Sequence, residues 1–143
     1  MRTFASIQAL VSQDSDQRVQ LLDQLLSFDD DDALTSAVYE SSSLSLAAAA
    51  TDVVVNFGAV TAASFMLIVA YSNITVKMNG IGSPAIQVNK TPAKVNGQVL
   101  SNLQKFDRPG LVLWRGKVTS LHLANPDIVN PASVFIALVG NAA

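Results

Sequence analysis

The chain has 143 residues, half of them hydrophobic and 14% charged, with no cysteine, one histidine and a formal net charge of −2. That length suits one domain with an appendage, and the missing cysteines exclude a disulfide framework and thiolate metal sites. So little charge on so small a protein points to an apolar face covered by a neighbour, and a homo-oligomer, trimer or dimer, is expected.

Residues 1–10 contain one arginine and no continuous apolar run, so no signal peptide is expected and the product should be soluble and intracellular. Residues 1–34 read as a helical or extended arm. Phe4, Ile7, Leu10 and Val11 have a short helical spacing. After a polar break, Val19, Leu22, Leu25 and Leu26 fall on one face of a short amphipathic helix capped by Ser15 or Asp16. Four aspartates at 29–32 stand where a helix dipole is already negative, and they should end it. Such a helix is marginal alone in water, so its stripe should lie on a partner or on the body.

Residues 35–143 read as mainly β, an antiparallel β-sandwich or small jelly roll of eight or nine short strands at regular turn spacing. A strand over 35–46 precedes an alanine-rich turn and the β-branched run 53–55. Residues 65–71 are apolar throughout, which implies burial on both faces or at an interface. Ile74, Val76 and Met78 alternate with Thr75 and Lys77, and Asn79-Gly80 ends that strand in a turn where Gly80 should have positive φ. Residues 86–88 form a short strand, Asn96-Gly97 signals a turn, and 100–108 fits a loop or one helical turn. Strands are expected over 111–114, closed by Arg115-Gly116, over 118–123, and over 133–139. In the last of these, Val134, Ile136 and Leu138 alternate with Phe135, Ala137 and Val139, so both faces are apolar. It belongs inside a sheet, with Phe135 and Ile136 on opposite faces, one in the core and one at a subunit interface.

Candidate chemistry is thin. His122 is the lone histidine and has no metal-ligand spacing around it, so a hydrogen-bonded structural role fits it best. The aspartates at 29–32 lack the glycine and distal glutamate of a calcium loop. No serine stands in a Gly-x-Ser-x-Gly context. Lys90, Lys94, Lys105, Arg108, Arg115 and Lys117 surround Phe106 and Trp114, but they suit loop solubility or a docking patch better than nucleic acid. Trp114 suits a core or interface anchor. No enzyme activity, cofactor, metal or membrane span is expected. Charge is split along the chain: residues 1–52 carry −7 and residues 53–143 carry +5, which favours contact between one subunit's arm and the next subunit's body.

The body also carries a family pattern. It lies in Leu44-Ser45-Leu46, in Asp52-Val53-Val54-Val55-Asn56-Phe57-Gly58, and in Ile74-Thr75-Val76-Lys77-Met78-Asn79-Gly80. It continues in Val118-Thr119-Ser120-Leu121-His122-Leu123-Ala124-Asn125-Pro126 and in Ser133-Val134-Phe135-Ile136-Ala137-Leu138-Val139-Gly140. Over about residues 41–140 these segments resemble small β-sandwich structural proteins of tailed bacteriophage virions. The resemblance implies a non-enzymatic virion protein assembled in the host cytoplasm. As a capsid decoration (cement) protein it would bind the major capsid protein lattice and stabilise it. The alternative it implies is a neck, tail or fibre component with a receptor- or carbohydrate-binding module, for which Tyr39, Tyr71 and Trp114 would supply the aromatic surface.

Overall fold

The computed structural model describes residues 4–14, 17–27, 37–99 and 107–142, with side-chain positions from Val38 onward. The chain divides into two compact units, Met1–Ala37 and Val38–Ala143.

In the first unit, β1 (Phe4–Asp14) and β2 (Gln17–Ser27) form an antiparallel pair. The helix expected over Val19, Leu22, Leu25 and Leu26 is therefore corrected to a strand. Val19, Leu21 and Leu25 also recur at even intervals, so the sequence satisfies a period of two as well as one near 3.6. A partner strand settles the ambiguity, because a lone helix of this length gains little in water. The register sets Ala5 opposite Leu26, Ala9 opposite Leu22 and Val11 opposite Val19, with a shift after Ala9. The aspartates at 29–32 lie outside the described residues.

The second unit holds β3 (Ala37–Leu46), β4 (Val53–Val54), β5 (Val60–Ala70), β6 (Ile74–Met78), β7 (Ile86–Val88), β8 (Lys94–Val95), β9 (Gln98–Val99), β10 (Gly110–Val118), β11 (Leu121–Ala124) and β12 (Ala132–Ala142). β8 and β9 form a small hairpin of their own, turned by Asn96 and Gly97 at φ 49° and 79°, the geometry that Asn-Gly favours. The other eight strands make two four-stranded sheets, ordered β10-β5-β12-β3 and β4-β11-β6-β7.

That order has a simple origin. Omitting the small hairpin, the first strand pairs with the last, the second with the seventh, the third with the sixth and the fourth with the fifth. The chain is thus a nested hairpin, β3 with β12, β4 with β11, β5 with β10 and β6 with β7. It is rolled so that β12 also pairs with β5 and β11 with β6. This is the jelly-roll arrangement, and it gives the finer form of the β-sandwich read from the sequence.

Alternation fills the space between the sheets. Met66, Ile68 and Ala70 of β5 and Val134, Ile136 and Leu138 of β12 face Ile74 and Val76 of β6 and Leu121 and Leu123 of β11 in one buried core. Asparagines hold the connections. Asn125, 2% exposed, donates from Nδ2 to the carbonyls of Ala47 (3.0 Å) and Asn130 (2.9 Å), while its amide donates to Ala50 O. Asn79, at φ 62°, accepts from the Thr119 amide at 2.8 Å and donates to Lys117 O at 3.1 Å.

Two boundaries differ from the sequence reading. β10 runs through Arg115-Gly116, because a bulge opposite Ala63–Phe65 and Gly116 at φ 144° absorb the extra residue. The break expected there falls instead at Thr119-Ser120, leaving Leu121–Ala124 as its own strand. β12 lies between β5 and β3, inside its sheet as its two apolar faces require.

Two glycines separate strain from collision. Gly80 has φ 131° and open space around it, whereas a Cβ on Gly140 would run into the Ala62 carbonyl oxygen of β5. Gly80→Val should cost about 1 kcal/mol or more through its backbone angle. Gly140→Ala should cost about 3 kcal/mol, since the strands must part to admit one carbon. Urea unfolding midpoints of the two variants check this. A neutral Gly140→Ala would refute the close approach of β12 to β5.

Candidate functional site

The face of the β10-β5-β12-β3 sheet turned away from the core is apolar as well. The register builds it in rows across three strands: Leu111 beside Val69 beside Phe135, Leu113 beside Leu67 beside Ala137, and Arg115 beside Phe65 beside Val139. Phe65, Ala137 and Val139 are buried, although they stand outside the core cluster between the sheets. Leu67, Val69 and Phe135 are half-buried. On β10, at the edge of the sheet, Leu111 is 62% and Leu113 36% exposed. β3, at the opposite edge, presents Ser41, Ser43 and Ser45 to solvent. The sheet thus carries an apolar stripe along one margin and a polar one along the other.

The residues singled out from sequence distribute as follows. Ile136 is buried in the core, and Phe135 is half-buried on the opposite face, so adjacent residues of one strand serve two layers. Trp114 pairs in register with Met66 and is 41% exposed on the edge strand. Val19, Leu22, Leu25 and Leu26 all lie on β2 in the other unit. Leu67 and Val69 belong to the run 65–71 expected on both faces or at an interface, whereas Leu111 and Leu113 are not singled out by the sequence. Alternation from Leu111 through Val112 to Leu113 was available as a signal, but nothing in it says which parity faces the core.

The outer face of the second sheet is polar. His122 lies between Val54 and Lys77 in register, and its Nδ1 stands 2.6 Å from Oδ1 of Asp52, which has φ 54°. Among the described residues this pair has no hydroxyl hydrogen-bonded to it, and the pairing holds the β3–β4 turn against β11. No group of three or more His, Cys, Asp or Glu among the described residues could hold a metal ion, and no helix among them is long and apolar enough to cross a membrane.

At one end of the sandwich the connections between sheets gather in pairs. The β3–β4 turn meets the β11–β12 loop through Ala49 N to Asp127 O at 2.7 Å. The β5–β6 turn meets the segment after β7 through Lys90 N to Asn73 Oδ1 at 3.0 Å. Asp127 Oδ1 accepts from the amides of Val129 and Asn130, and Oδ2 accepts from Asn130 Nδ2. These bonds hold the Asp127 carboxyl below its ordinary value. The Ala93 amide and the Lys90 ammonium, 2.9 Å away, do the same for Asp107.

No protein family, curated protein or solved structure matches this chain.

Both carboxyls are depressed on folding, so their contribution is fully present above the ordinary value of 3.8 and is lost as pH falls through the lower folded values. Thermal melts below about pH 4 should therefore show a steeper fall of Tm in the parent chain than in Asp127→Asn, which cannot be protonated there. Parallel curves would show that the loop's hydrogen bonds do not depend on the carboxylate.

Proposed function

We propose that this chain is a non-enzymatic structural subunit that works by binding its own copies and a larger lattice, as a virion decoration (cement) protein does. The observation that carries the reading is the second apolar layer on the β10-β5-β12-β3 sheet, with Leu111 and Leu113 exposed at its margin. Soluble monomers seldom leave such a margin in water, and an edge strand bearing it invites a neighbour. The jelly-roll order supports the virion side of the proposal by analogy, because that architecture recurs in capsid domains; fold alone does not fix function. The opposite charges of residues 1–52 and 53–143 favour an arm-to-body contact between subunits.

Magnitudes favour use of the whole face. Burying a leucine fully is worth about 1.5–3 kcal/mol, while association costs roughly 4–15 kcal/mol in lost freedom. Leu111 and Leu113 are already partly buried and gain less than that each, so on this reading Leu67, Val69 and Phe135 join the contact. Repetition over many copies on a lattice would then multiply a modest pairwise affinity.

The test compares the two layers of the sheet. Leu113→Asp should leave the β-domain folded by far-UV circular dichroism and lower self-association in sedimentation by at least about tenfold, one fully desolvated contact being worth that much. Ile136→Asp should unfold the domain, because it buries an unpaired charge. Cryo-electron microscopy of particles assembled with the protein should place it on the capsid exterior. A parent chain that stays monomeric both in solution and with particles would overturn the proposal.

A further inference from the structure

The end of the sandwich where the connections gather holds a polar cleft of about 700 Å³. Ser72 and Asn73 of the β5–β6 turn form one wall and Lys90, following β7, adjoins them. Asp127 and Asn130 of the β11–β12 loop, between Pro126 and Pro131, form the other. The size lies within the range of small-ligand sites, which favour places where two layers meet and loops are held by a rigid frame.

The walls are fixed from behind. Asn125 pins the β11–β12 loop through its buried side chain, and Asp127 caps the loop internally. Asn73 spends its Oδ1 on the Lys90 amide, and Lys90 spends part of its ammonium on Asp107. Among the described residues, the hydroxyl of Ser72, Nδ2 of Asn73 and Oδ1 of Asn130 have no hydrogen-bond partner, which leaves one hydroxyl, one donor and one acceptor for a ligand. Tyr71, next in the chain to Ser72, is 56% exposed, and its amide is tied to Ser133 O at 2.9 Å. That bond fixes the main chain at the start of the β5–β6 turn.

The charge of the cleft selects among ligands. Lys90 is matched by Asp107 at 2.9 Å, and Asp127 adds a second carboxylate, so no surplus cation awaits a phosphate or an acidic sugar. Amide donors and acceptors in fixed positions suit vicinal hydroxyls, and Pro126 and Pro131 add apolar surface to the lining. We propose that this cleft binds a neutral, hydroxyl-rich saccharide, either as a free sugar or as a terminal unit of a glycan. The proposal is independent of the assembly reading, since it uses loops at the end of the sandwich and not the sheet face.

The test is a titration of the full chain, followed by amide chemical shifts. The probes are neutral methyl glycosides, neutral oligosaccharides and inorganic phosphate. Saturable shifts centred on Ser72, Asn73, Lys90 and Asn130 with a neutral probe are expected. Saturation by the methyl glycosides marks a free-sugar site, and saturation by the oligosaccharides alone marks a glycan site. Asn73→Asp keeps the Oδ1 acceptor for Lys90 and removes the Nδ2 donor, so it should weaken binding about tenfold while leaving the melting temperature in place. Binding of phosphate alone, shifts centred elsewhere, or no saturation by any neutral probe would overturn the proposal. So would an Asn73→Asp variant with parent affinity.

Discussion

The structure of the second unit depends on keeping the two limbs of one long folded chain side by side wherever they cross between sheets. The clearest instance is the amide of Asn125. It bonds carbonyls on the β3–β4 turn and on its own loop from a site 2% exposed. An unmet carbonyl in such a place costs about 1–3 kcal/mol, so the outgoing and returning crossovers are locked at the same height. Asn79 performs the same task for the β10–β11 turn. With those crossovers fixed, strand pairing follows limb against limb, and the core residues of β5, β6, β11 and β12 meet without further instruction.

Much of this was legible. The alternation at Ile74–Met78, the apolar character of both faces of β12 and the Asn-Gly turns each correspond to an observed feature. These signals are local, because a period of two or a required positive φ is written in a few neighbouring residues. Pairing partners were not legible, since β3 and β12 meet across nearly the whole unit and nothing in either names the other. The same limit hid the outer face: Leu111 and Leu113 matter only because Val69 and Leu67 stand beside them. At β2 the error was of another kind. Leucines that fit both periods favour a helix when taken alone, and the partner strand that decides for β lies on the other side of a polar break.

The sheet containing β12 is apolar on two sides, and the two sides are built differently. The inner side is completed by the second sheet of the same chain, whereas the outer side grades from buried Phe65 and Val139 to exposed Leu111. The core and the outer face can therefore be altered separately. A change at Ile136 acts on the fold, and a change one residue away at Phe135 acts on what the fold presents.

The nested pairing also bears on the order in which contacts can form. The entropy lost on closing a loop grows with its length, and β6 with β7 closes the shortest of the four loops. Once that pair exists, β5 and β10 are already brought near each other, then β4 and β11, and finally β3 and β12. A topology whose outermost strands are almost a whole unit apart in sequence thus becomes a zipper with a built-in starting point. Each later closure then bridges only the residues between neighbouring strands of the two limbs, not the whole unit.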